Sequence, residues 1–147
     1  ILLGESPSVP SKKYKILINQ LSERIIHFGY VESREDYFSL LASGDIVVST
    51  AIQENFGLSI VEAIQCGCFP LLPNRLSYPE LIPEEYRVSV LYHTDNELFS
   101  RLATILEKKL FSQKALCQKF MVHRWKNRID DYDDLFNTVF LTKCFIK

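Results

Sequence analysis

No apolar run in the sequence approaches the ~18 residues of a membrane span. The longest runs are short, such as Ile46–Val48 and Phe69–Leu72. Glycine and proline are scarce, at 5 and 6 of 147 residues, which excludes collagen-like and low-complexity chains. Cysteine is scarce too, and poorly spaced for a metal. Cys66 and Cys68 are separated by one residue, where common zinc and redox motifs have two. Cys117, Cys144, His27, His93 and His123 are dispersed along the chain. The cysteines are read as buried thiols in a reducing, cytoplasmic setting.

What is abundant is apolar surface. Hydrophobic residues make up 47% and charged residues 24%, enough to build a core and too much for a disordered chain. The length predicts a single domain. Net charge is nearly absent at −1, but it is uneven. Between Arg101 and Arg128 stand Lys108, Lys109, Lys114, Lys119, Arg124 and Lys126 against the single acid Glu107. Such a stretch is either a solvated helical face or a surface for a polyanion. A chain opening on Ile1 in an apolar run reads as a piece of a longer protein, with any targeting signal out of view.

Apolar runs alternate with helical patterns. Strands are predicted at Ile1–Gly4, Arg24–Gly29, Asp45–Thr50, Cys68–Leu72 and Arg87–Leu91. Between them, Ser11 and Ser33 each open a helix, the second through a Ser-x-x-Asp capping box ending at Asp36. A further helix starts near Gly57 and presents Ile60, Ala63 and Ile64. Another carries Leu98, Leu102, Ile105 and Leu106, and helices are expected from about residue 111. The third strand is continuously apolar, as in parallel strands buried on both faces. The expected fold is therefore α/β, a Rossmann-like parallel sheet flanked by helices.

Ligands of such sheets bind beyond the carboxyl ends of the strands, which directs attention to the loop after Thr50. Glu54 stands at that outlet. Gly57 lets the backbone approach a ligand, and the N–H groups of Gly57, Leu58 and Ser59 can receive an anion at the helix start. Glu62 follows one turn later, placed to accept hydrogen bonds from a neighbouring diol. Two glutamates eight apart are weak evidence alone, since such a spacing arises by chance for roughly one Glu in fifteen. The alternative is one carboxylate favoured by the helix dipole and one solvated helical Glu.

The run Glu54-Asn55-Phe56-Gly57-Leu58-Ser59-Ile60-Val61-Glu62, followed by Cys66-Gly67-Cys68-Phe69-Pro70, resembles the E-x7-E segment of retaining family 4 glycosyltransferases of the GT-B fold. His27-Phe28-Gly29-Tyr30, Asp45 to Thr50 and Tyr78-Pro79-Glu80 extend the likeness over most of the chain. Within that family it is most similar to the branch that mannosylates queuosine in tRNA. The resemblance implies that residues 1–147 form the nucleotide-sugar donor domain and that an N-terminal Rossmann-like domain completes the cleft. It implies that Glu54 contacts hydroxyls of the transferred sugar as the catalytic carboxylate. Asn55, Phe56 and Gly57 would offer N–H groups to the sugar. Gly57, Leu58 and Ser59 would face the diphosphate, and Glu62 the ribose. The family's basic pair on the diphosphate has no counterpart that the sequence places. The implied donor is GDP-mannose and the implied acceptor tRNA, with no metal and no other cofactor. A relative glycosylating a lipid, glycan or small molecule is an alternative, as is a non-catalytic nucleotide-binding or interaction domain.

Glu80 is a candidate nucleotide contact, or a carboxylate at a helix start. His27 reads as a core histidine, Trp125 as a packing residue, and Asp130, Asp131, Asp133 and Asp134 as dipole-favoured acids of the last helix.

Overall fold

Serine hydroxyls start the first two helices, as expected. In a computed structural model, which describes residues 1–4 and 11–108, Ser11 Oγ accepts from the N–H of Tyr14 at 3.2 Å and opens α1, Lys12–Leu21. Ser33 Oγ accepts from the N–H of Asp36 at 3.3 Å and opens α2, Arg34–Ala42. Each bond satisfies a donor that a helix start leaves without an acceptor. These helices accompany a two-stranded parallel sheet, with Leu2–Leu3 (β1) beside Phe28–Gly29 (β2). Together they form the first of two compact units, Ile1–Gly44.

The second unit, from Asp45 on, carries a three-stranded parallel sheet in the order β3-β4-β5. Its strands are Ile46–Val48 (β3), Phe69–Pro73 (β4) and Leu91–Tyr92 (β5). Between and after them run α3 (Leu58–Gln65), α4 (Tyr78–Leu81), α5 (Glu84–Val90) and α6 (Asp95–Lys108). The fold is α/β, with parallel sheets flanked by helices.

The core joins Ile60, Val61 and Ile64 of α3 to Leu71 and Leu72 of β4 and to Val90 and Leu91. Helix α3 ends in a Schellman motif. Gly67, at φ 107°, donates to Ile64 O, and Cys68 N–H reaches back to Ala63 O. Cys68 is a buried free thiol, as expected of a core residue, whereas Cys66, at the turn after α3, is a free thiol that is only half-buried; Cys117 and Cys144 lie outside the described residues.

Three expected strands differ. Residues 87–90 are helical and belong to α5, and β5 begins only at Leu91. The two valines suggest a strand, but Pro83 followed by Glu84 and Glu85 is a helix start, and tertiary context overrides a short β-branched signal. The second strand is limited to Phe28–Gly29, and its expected start at Arg24 lies instead in a 3-10 turn, Ser22–Arg24. The strand buried along its whole length is β4, not β3. β3 has β4 on one side only in the strand order, and Val48 is 41% exposed. The expected helices from about residue 111, Trp125 and most of the basic stretch lie outside the described residues.

Gly57 caps α3 with φ 86°, a left-handed backbone that an L side chain adopts only with strain. A Cβ there would stand 3.2 Å from Tyr78 Cε1, on a ring that is 1% exposed and fixed at its hydroxyl. We expect Gly57→Ala to lower unfolding free energy by about 1–3 kcal/mol, measured by urea denaturation. A stability equal to wild type would contradict this geometry.

Candidate functional site

The carboxyl ends of β3, β4 and β5 gather the residues that matter. Along β3 the ladder runs from Phe69 N–H to Asp45 O at 2.8 Å, at the strand's start, to Ser49 N–H on Leu71 O at 3.1 Å, at its end. Repeated once more, it would bring the N–H of residue 73 to Ser49 O. Residue 73 is proline and has no N–H. The hydroxyl of Tyr92 fills that place and donates to Ser49 O at 2.8 Å. The Ser49 hydroxyl bonds Tyr78 Oη at 2.8 Å and accepts from Ala51 N–H at 3.2 Å. Arg75, just past β4, donates from Nε to Ala51 O at 3.1 Å and from Nη2 to Thr50 O at 3.5 Å. The polar backbone from Ser49 to Ala51 is thus held from the ends of both β4 and β5.

From this anchored exit the chain runs to Glu54. Its Oε1 accepts three backbone N–H groups in succession, from Asn55 at 3.0 Å, Phe56 at 3.3 Å and Gly57 at 2.9 Å. Among the described residues no donor engages its Oε2. Leu58 and Ser59 follow as the first two residues of α3, whose N–H groups a helix leaves without an internal acceptor. Glu62 is half-buried in α3, about 7 Å along the axis from Gly57. The structure therefore brings Glu54, Asn55, Phe56, Gly57, Leu58 and Ser59 to one turn, with Glu62 on the helix behind it. The N–H groups expected to face a sugar are here turned onto the Glu54 carboxylate. Glu80 is exposed in the first turn of α4, as a helix-start carboxylate would be, two residues from the buried Tyr78.

A family model described as "Glycosyl transferases group 1" matches residues 1–120. The chain belongs to the group 1 glycosyl transferases. It is also 35% identical over 144 residues to a protein of Drosophila melanogaster named tRNA-queuosine alpha-mannosyltransferase. The alignment covers 92% of this chain but only 36% of that relative, so the chain spans about a third of its length. In this group 1 glycosyl transferase domain, the acidic loop and the N-terminus of α3 are the features that residue-by-residue reading had singled out. Ser49, Arg75 and Tyr92 were missed. Their signal was position, just past or at strand ends, and it became readable only once the ends of β4 and β5 were known.

A second polar chain runs along the same edge. His93 Nε2 lies 2.7 Å from Asn74 Nδ2, and His93 N–H donates to Glu97 Oε2 at 2.7 Å. Glu97 also pairs with Arg101. The His93 N–H, first, and Arg101 hold the Glu97 carboxyl below its usual range. Half-buried His27 is satisfied within the first unit by Gly29 O, 3.3 Å from Nε2. Among the described residues no cluster of three His, Cys, Asp or Glu side chains could hold a metal ion, and no helix is long and apolar enough to cross a membrane.

Burial pushes the Tyr78 hydroxyl above its ordinary value near 10, and the charge of Glu54 adds to this. Its bond with Ser49 and the charge of Arg75 act in the opposite sense. Burial likewise raises Tyr92. Both groups hold their protons more tightly when folded, so the unfolded chain loses them first as pH rises. Their contribution to stability is then level below pH 10 and falls above it. Tyr92→Phe, which strands the buried Ser49 carbonyl, should cost about 1–3 kcal/mol at neutral pH. It should also make the alkaline fall shallower. Urea unfolding from pH 7 to 11 checks both, and a neutral-pH stability equal to wild type would refute the role given to Tyr92.

Proposed function

We propose that this chain is the donor-binding half of a retaining family 4 glycosyltransferase of GT-B architecture. In this reading it moves mannose from GDP-mannose to queuosine in a tRNA. The observation that carries the reading is the turn at Glu54, where three consecutive N–H groups converge on one carboxylate oxygen at the start of a helix. Such a turn fixes the carboxylate with Oε2 left to accept hydroxyls of a ligand, and it leaves the N–H groups of Leu58 and Ser59 at the helix start for an anion. The likeness to a tRNA-queuosine alpha-mannosyltransferase supports the choice of donor sugar and acceptor.

The residues then divide the work. Glu54 accepts hydroxyls of the transferred hexose through Oε2, while the N–H groups of Asn55, Phe56 and Gly57 hold its other oxygen and lie next to the sugar. The departing nucleoside diphosphate gathers negative charge. The N–H groups of Leu58 and Ser59 and the positive end of α3 stabilise that charge as it grows. Glu62 accepts the ribose diol. Glu80, exposed in the first turn of α4, is a candidate contact to the nucleotide. Most of the acceptor site and the rest of the cleft come from an N-terminal Rossmann-like domain. Lys and Arg beyond Arg101 meet the tRNA backbone by displacing counterions. No metal or other cofactor is assigned a part.

Glu62→Ala tests the assignment in the full-length protein. It removes one or two charge-assisted hydrogen bonds, each worth about 1.5–3 kcal/mol. Titration calorimetry with GDP should show at least a tenfold loss of affinity, since 1.4 kcal/mol is a factor of about ten. Unchanged affinity would sink the role of Glu62. Residues 1–147 alone should give no mannose transfer, because catalysis needs both reactants positioned together. Turnover by this piece alone would refute the half-enzyme reading.

A further inference from the structure

Arg75 is exposed and contributes nothing to the core, yet its place is closely determined. Asn74 N–H donates to Tyr92 O at 2.7 Å, and Arg75 N–H turns back onto Pro73 O at 2.8 Å. The next residue, Leu76, has φ 60°, the one non-glycine residue at positive φ among those described. A branched aliphatic residue in that region is strained, and such strain persists where the surrounding structure holds it. This turn delivers the guanidinium to the carbonyls of Thr50 and Ala51. A planar fork on two successive carbonyls fixes the rotation of the intervening peptide as well as its distance, which a single point donor does not. Glu54 lies three residues beyond Ala51. Arg75 and Glu54 also act with opposite sign on the same Tyr78 hydroxyl, so both charges stand close to one buried group.

We propose that Arg75 is a positioning residue for Glu54. By clamping the Thr50 and Ala51 carbonyls it sets where the Glu54 carboxylate stands, and so governs the rate of sugar transfer more than the affinity for the donor. The proposal rests on the glycosyltransferase reading above and adds to it a residue outside the Glu54–Glu62 segment. It differs from an ordinary surface arginine because its effect must pass through Glu54.

The test uses the full-length protein, GDP-mannose and queuosine-containing tRNA, with variants Arg75→Gln, Arg75→Lys, Glu54→Gln and the double variant Arg75→Gln/Glu54→Gln. A displaced catalytic group commonly costs ten- to a hundredfold, so Arg75→Gln should lower kcat by about tenfold or more. The KM for GDP-mannose should stay within about threefold. Arg75→Lys, which keeps the charge and donors but not the planar fork, should fall between wild type and Arg75→Gln. In the Glu54→Gln background, Arg75→Gln should cause little further loss, because the group it positions is already gone. Thermal unfolding of Arg75→Gln should match wild type. Should that variant fail to fold, Arg75→Lys decides by the same kcat and KM readings. Wild-type kcat in Arg75→Gln, a rise in KM alone, or full additivity with Glu54→Gln would overturn the positioning role. Wild-type protein that transfers no mannose would instead overturn the enzyme reading, and this proposal with it.

Discussion

The Ser49 carbonyl is the point on which the site depends. A parallel ladder should serve it from residue 73, and proline there cannot donate. A buried carbonyl without a partner costs about 1–3 kcal/mol, so the fold must supply another donor. It supplies Tyr92, from β5, across the end of β4. The Ser49 hydroxyl takes Tyr78 in the same small volume. A missing donor in one strand is thereby converted into a junction of the β3 exit, β5 and α4. Because Tyr78 also lies beneath Gly57, the junction extends to the start of α3.

This explains why the Glu54 loop, though exposed at Ile52, Asn55 and Phe56, is not loose at its root. Its first residues are held by two tyrosine hydroxyls, a serine hydroxyl and a guanidinium, and its last by the left-handed cap of α3. Between these ends the carboxylate of Glu54 folds back on the next three N–H groups. An ionised oxygen on three donors is a charge-assisted arrangement, stronger than neutral hydrogen bonds of the same number. The turn is therefore organised around negative charge before any ligand arrives. With Oε1 held by these three bonds, Oε2 is the oxygen left to accept from a ligand.

Much of this was legible along the chain. Ser11 and Ser33 announced their helices because capping is a local bond over three residues. Cys66-Gly67-Cys68 announced the end of α3 because the left-handed position there needs glycine. Glu54, Gly57 and Glu62 were legible together, since a strand end, a turn and a helix start follow one another within fourteen residues. Val88 and Val90 misled, because alternation over so few residues fits a strand and one turn of helix equally well. Whether β3 or β4 is the inner strand was not legible, because strand order is a long-range property.

By itself, then, the sequence determined the α/β alternation, the family, the loop that carries Glu54 and the residue types of the proposed site. All of these rest on contacts a few residues apart or on a continuous motif. Tertiary structure alone decided that Tyr92, 43 residues away, would replace the donor that Pro73 lacks. It alone brought Arg75 to the carbonyls of Thr50 and Ala51, 25 and 24 residues earlier. Hydrogen-bond partners of that kind are chosen by which strands lie side by side and in what register, and no local propensity encodes either.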